Sequence, residues 1–253
     1  MNRRINYKSI YPAAVLILLV LLWEILVRAL SVPSYVLPKP TSVFAVLWSD
    51  REALLAHSIV TVQEALGGMG ISLMCAVVLG ILMDANSTIK AVVYPILVVT
   101  QTVPMIVLSP ILILYLGFGV TPKILTVVLM CFFPIVVSFV DGMGQIDPAY
   151  VNLVRSYGAT RLQVYTQVKI PYSMSSLLSG LKVAATYSIS GAVVGEWIAS
   201  QAGLGYYLLR VKNSYALDKM FACVIVIILL SLMMNGIIYL LRRLFLPYLN
   251  KKK

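Results

Sequence analysis

Six apolar stretches, each long enough to cross a lipid bilayer, are what this chain of 253 residues must accommodate before anything else. A membrane-crossing helix takes about 20 mostly apolar residues. Runs that meet this requirement cover about 10–30, 58–83, 91–116, 124–140, 177–200 and 220–241. With 60% of residues hydrophobic and only 11% charged, the sequence has too few charges to cover a water-facing surface. The expected fold is therefore all-α and integral to the membrane, as a single transmembrane domain over 1–253.

A net charge of +11 would suit nucleic acid only if the cations formed a face. They sit instead between the apolar runs and at the two ends, which is the pattern of membrane topology and excludes nucleic acid as a partner. One set of segments holds Arg3, Arg4, Lys8, Lys90, Arg155, Arg161, Lys169, Arg242, Arg243 and Lys251, Lys252 and Lys253, twelve cations in all. The other set holds six: Lys39, Arg51, Lys123, Arg210, Lys212 and Lys219. The richer side is expected to be cytoplasmic, with both termini inside. Arg28 and Lys182 fall within spans, near their ends, which leaves no cation at mid-membrane. The first run follows cations as a signal peptide would. It is too long and lacks a small-residue cleavage site, so it reads as a retained span. Cys75, Cys131 and Cys223 have neither disulfide nor metal spacing and read as small apolar filler. The lone histidine, His57, has no nucleophile beside it, so a catalytic role is not expected.

Two connections are long enough to hold structure. In 31–57, Pro33, Pro38 and Pro40 forbid a helix, after which Thr41 is expected to cap a short interfacial helix to about Leu55. In 141–176, Asp147 can cap a helix with Pro148 at its first position. Gly158-Ala159-Thr160 then breaks it, and a second helical stretch, with Leu162, Val164, Tyr165 and Val168, is expected to end before Pro171. An ordered loop of this length is usually functional.

Within that loop, Gly158-Ala159 followed by Ile170-Pro171 resembles the coupling loop of permease subunits in bacterial ABC importers. That pattern opens with Glu-Ala-Ala, where this chain has Asn152, Leu153 and Val154, so the acidic residue is missing. Other segments resemble the nitrate, sulfonate and taurine type permeases in the same order. They are Val36 to Val43 with Pro38 and Pro40, Val103-Pro104 to Pro110, Tyr115 to Gly119 with Pro122-Lys123, Phe132-Phe133-Pro134, and Gly195-Glu196 with Gly203-Leu204-Gly205-Tyr206. The resemblance implies a type I importer permease with six spans and a cytoplasmic coupling-helix loop, to which Arg161 also belongs. It also implies ABC ATPase subunits, a second permease subunit forming a homodimer, and an extracellular solute-binding protein. The chain has no G-x-x-x-x-G-K-[ST] loop. ATP and Mg are therefore expected on the ATPase partner and no cofactor on this chain. The implied solutes are small organic anions such as sulfonate or taurine, nitrate, or a thiamine-pyrimidine precursor, to which 132–134 and 117–123 lean.

Intramembrane polar groups mark the candidate pathway, because they must face protein or water. Glu64 lies in the second span, and Glu196 with Trp197 at the end of the fifth reads as a gate. The prolines of the third span, with Gln101, Thr102, Pro104 and Ser109 beside the breaks, make that span a candidate lining. Gly191 and Gly195 form a small-xxx-small face for close helix packing, within the subunit or across a dimer. An ion-coupled secondary transporter is the alternative. It would call for repeats and midplane carboxylates, and neither is visible.

Overall fold

The computed structural model describes residues 10–245, so Arg3, Arg4, Lys8 and Lys251 to Lys253 lie outside the described residues. Among the described residues all regular structure is helical. In order the helices are α1 (Ile10–Ala29), α2 (Pro40–Ser49), α3 (Arg51–Ala85), α4 (Ser87–Thr100), α5 (Met105–Leu116), α6 (Val120–Gly144), α7 (Pro148–Ser156), α8 (Arg161–Val164), α9 (Ile170–Ala199), α10 (Leu204–Asn213) and α11 (Leu217–Phe245). Among the described residues five helices are long and apolar enough to cross a membrane. A sixth crossing is made if α4 and α5, which meet at 102°, count as one broken span.

Three boundaries differ from expectation for identifiable reasons. The second span starts at Arg51 rather than 58, because 51–57 holds good helix formers and no breaker. Thr41 does not cap α2, which begins at Pro40. Its hydroxyl and amide bond the Glu24 carboxylate of α1 instead, at 3.0 and 3.1 Å. The largest difference is at the fifth span. The stretch after Gly158 does not end before Pro171 but runs through a π-helical turn at Tyr165–Lys169 straight into α9. The wide turn, in which Ile170 N–H donates to Tyr165 C=O, absorbs the hydrogen bond that proline cannot make. The result is one continuous apolar helix from Arg161 to Ile198. Lys182 therefore lies mid-helix, not near an end.

The core is a three-helix sandwich of α3, α6 and α9, with α11 alongside. Met69, Ala76, Val127, Phe139, Ala184 and Ile189 are among its buried members. Glycines set the closeness of approach. A Cβ on Gly68 would collide with Val127, and one on Gly80 would lie 2.6 Å from Phe139. Gly191 and Gly195 press on Val127 and Lys123 of α6, so their small face serves packing within this chain. Cys131 and Cys223 are buried in helix contacts and Cys75 is exposed; all three are free.

Candidate functional site

At the end of the bundle away from α7 and α8, a buried polar cluster joins α3, α6, α9 and α10. Glu64 is 3% exposed, Lys123 7% and Glu196 1%. Lys123 Nζ donates to Glu64 Oε1 at 2.6 Å and to Ser200 Oγ at 2.9 Å. Glu196 accepts from Thr61 Oγ1 at 2.7 Å and from Gly205 N–H at 2.6 Å. Thr61 Oγ1 accepts the Leu204 N–H at 2.8 Å, and His57 Nδ1 accepts that of Gly203 at 3.1 Å. The first turn of a helix has amides with no partner inside the helix. Three of those at α10 are thus bonded by side chains, with a carboxylate at the positive end of its dipole. Gly203 sits at φ +106°, and a Cβ there would fall on the Glu196 carboxylate, so this position requires glycine.

Glu64 and Glu196, flagged separately in the sequence, are therefore brought to one place. Lys123, expected in a connecting loop, is buried between them. Glu196 is committed to holding α10 against α3, and Trp197 packs on the neighbouring apolar cluster around Leu204 and Tyr207. A second clasp lies at the same end. Asp50, between α2 and α3, accepts from Lys219 Nζ at 2.7 Å and Tyr207 Oη at 3.0 Å. The Lys219 hydrogen bond is the main cause holding the Asp50 carboxyl below the usual carboxylate range. Burial, then Asp50 itself, pushes the Tyr207 phenol up.

The break between α4 and α5 gathers a different group. Gln101, Pro104 and Met105 line a hollow together with Met130 of α6 and Tyr187 of α9. Thr102 is exposed beside it, with its hydroxyl donated to Val99 C=O at 2.8 Å. Ser109 is buried further along α5, apart from this hollow.

The α7–α8 loop has its own small core of Ile146, Val151 and Val164, with Ala159 packed against it. Asp147 caps α7 by accepting Ala149 N–H at 2.8 Å, and Gly158 turns the chain at φ +85°. Thr160 and Gln163 close a reciprocal capping box on α8. Asn152 and Leu153 are exposed, Val154 is half-buried and Arg161 is exposed. Tyr150, Leu153, Tyr157 and Leu162 present apolar surface outward. Where the loop enters α9, Lys169 and Tyr165 both bond Asp84 at the end of α3, the tyrosine at 2.7 Å. Ile170 and Pro171 lie inside the continuous helix just after this clasp.

Sequence reasoning missed Asp84, Thr61 and the buried role of Lys123. A lone carboxylate ending an apolar run was the available signal for Asp84. Nothing local marks Thr61, whose partners lie far along the chain.

Residues 72–247 match the model of a family described as binding-protein-dependent transport system inner membrane component. The chain is 32% identical over 248 residues to the formylaminopyrimidine transport permease protein ThiX of Halalkalibacterium halodurans, covering 98% of this chain and 99% of that one. It is 27% identical over 201 residues to the taurine transport system permease protein TauC of Escherichia coli, covering 79% and 70%. Among solved structures, an inward-facing MetNI methionine ABC transporter superposes with a TM-score of 0.55 at 17% identity, over 77% of this chain and 97% of that one, a likeness of fold.

Proposed function

The chain belongs to the family of binding-protein-dependent transport system inner membrane components, and on that premise we propose that its α7–α8 loop is the seat of a separate ATP-hydrolysing subunit. The chain itself is the membrane-spanning permease subunit of an ABC importer for a small solute. Two copies form the path, the loop and both termini face the cytoplasm, and an external binding protein delivers the solute at the Glu196 end. ATP and Mg reside on the ATPase subunits.

The observation that carries this proposal is the unbroken helix from Arg161 to Ile198. A seat that moves with the ATPase then moves a membrane span as one body, and the Asp84 clasp on Lys169 and Tyr165 draws α3 along. The exposed Tyr150, Leu153, Tyr157 and Leu162 supply an apolar face of the kind that protein partners cover. That face compensates for the absent acidic residue at Asn152 by offering apolar contact instead of charge. The solute is a small polar molecule of the kinds that the relatives' names carry, a formylaminopyrimidine or taurine.

The test is affinity purification of the tagged chain from its own membrane. The expected result is co-purification of an ATP-binding-cassette subunit, in equal amount to this chain, that is lost in Leu153→Glu and Tyr157→Glu. Recovery of the same ATPase with both variants would overturn the docking assignment.

A further inference from the structure

Two charge clusters bracket the bundle. Glu64 and Asp84 stand at its two ends on α3, separated by about 30 Å at 1.5 Å per residue, the thickness of a bilayer's hydrocarbon core. On the continuous α9 helix the matching ends are Glu196 and Lys169, and Lys182 lies halfway between them, about 20 Å from each. Lys182 is exposed, and no ion pair among the described residues includes it. The carboxylates of Glu24, Asp50, Glu64 and Asp84 are all engaged by other cations.

The face around Lys182 mixes hydroxyls with the exposed Val183 and Tyr187. Ser179 and Ser190 share its exposed stripe at helical spacing. Toward the loop end, Ser179 opens into a hollow shared with Ser138, Asp141 and Gln145. Toward the other end, Tyr187 lines the hollow at the α4–α5 break with Gln101. Asp141, which shares a further hollow with Lys90, is level with Ser176, because Gly142 packs on Ser173 and Ser176. That places it about two turns below Lys182. A bare ammonium with hydroxyls above and below it, at mid-depth, cannot face lipid chains and so faces water or protein.

We propose that Lys182 is an anion-binding group midway along the translocation path, holding the anionic group of a taurine-type solute, its sulfonate, in transit; of the two solute kinds above this takes the one that carries an anion. This rests on the permease assignment above and adds a site to it. The lysine gives the path a positive midpoint between the largely apolar hollow at Gln101 and the hollow that holds Asp141, so an anionic solute is held there and released by the same weak, single-charge contact.

Thiol chemistry tests it in the full chain assembled with its ATPase. Cys131 and Cys223 are buried and stay; Cys75→Ser removes the exposed thiol. A cysteine is placed at Ser179 or at Ser190. Its reaction rate is measured with two methanethiosulfonates, one bearing an anionic sulfonate and one a cationic trimethylammonium. The expected anion-to-cation rate ratio favours the anion, falls about tenfold or more in Lys182→Gln and is kept in Lys182→Arg. An unchanged ratio in Lys182→Gln would overturn the proposal, because Lys182 would then be neutralised, for example by Asp141 of a second copy. Failure of both reagents to react would place this face in lipid and also overturn it. Neither outcome alters co-purification with the ATPase, so the permease assignment stands or falls separately.

Discussion

Lys123 Nζ lies 2.6 Å from Glu64 Oε1, with both side chains buried between α6 and α3. Each charge is tolerated there only because the other neutralises it. Removing one leaves a buried charge without compensation, which costs about 3–5 kcal/mol, whereas replacing both with apolar groups of similar volume is often neutral. Lys123→Met should therefore lower stability by about that amount, and adding Glu64→Leu should restore most of it. Thermal unfolding in detergent reads both. A Lys123→Met protein as stable as the parent would show that the pair holds nothing together.

Gly203 and Gly117 make a matched comparison. Both have positive φ, +106° and +76°, but a Cβ at Gly117 meets open space while one at Gly203 meets the Glu196 carboxylate. Gly117→Ala should cost only the backbone strain of a conformation open essentially to glycine alone (φ +76°, ψ −176°), roughly 1–3 kcal/mol. Gly203→Ala should cost more and should free α10 from α3. Hydrogen exchange at Leu204 and Gly205 should accelerate in Gly203→Ala alone; equal protection in the two variants would contradict the packing described.

Asp84 ties α3 to the loop through Lys169 and Tyr165. Asp84→Asn keeps the shape and the tyrosine contact but loses the ion pair. The ATPase should still co-purify and hydrolyse ATP, while solute uptake falls at least about tenfold, as expected when a positioned lever slackens. Uptake at the parental rate would mean that α3 is not driven from the loop.

Helices and short-range signals were legible in the sequence, and partners across the fold were not. Pro40, Asp147-Pro148 and Gly158 each mark the element boundary that the structure shows, because each acts through its own backbone geometry. Pro171 misleads for the same reason. Taken locally it stops a helix, but the π-helical turn at Tyr165–Lys169 accommodates it and lets α9 begin inside the loop. That shift carries Lys182 from a span end to mid-helix. Lys123 looks like an interfacial cation until Glu64, far away in sequence, is seen beside it. Glu196 is legible as an unusual intramembrane acid, yet its bonds to Thr61 and Gly205 depend on how α3 and α10 meet.

On this assignment the α7–α8 loop lies inside the cell and carries the ATPase. Tyr157, 85% exposed at the end of α7, is the position to interrogate. With Cys75→Ser in place, Tyr157→Cys should react with a membrane-impermeant maleimide in inverted vesicles stripped of the ATPase. It should be protected when the ATPase is bound and unreactive in intact cells. Labelling of Tyr157→Cys from the outside of intact cells would contradict the account.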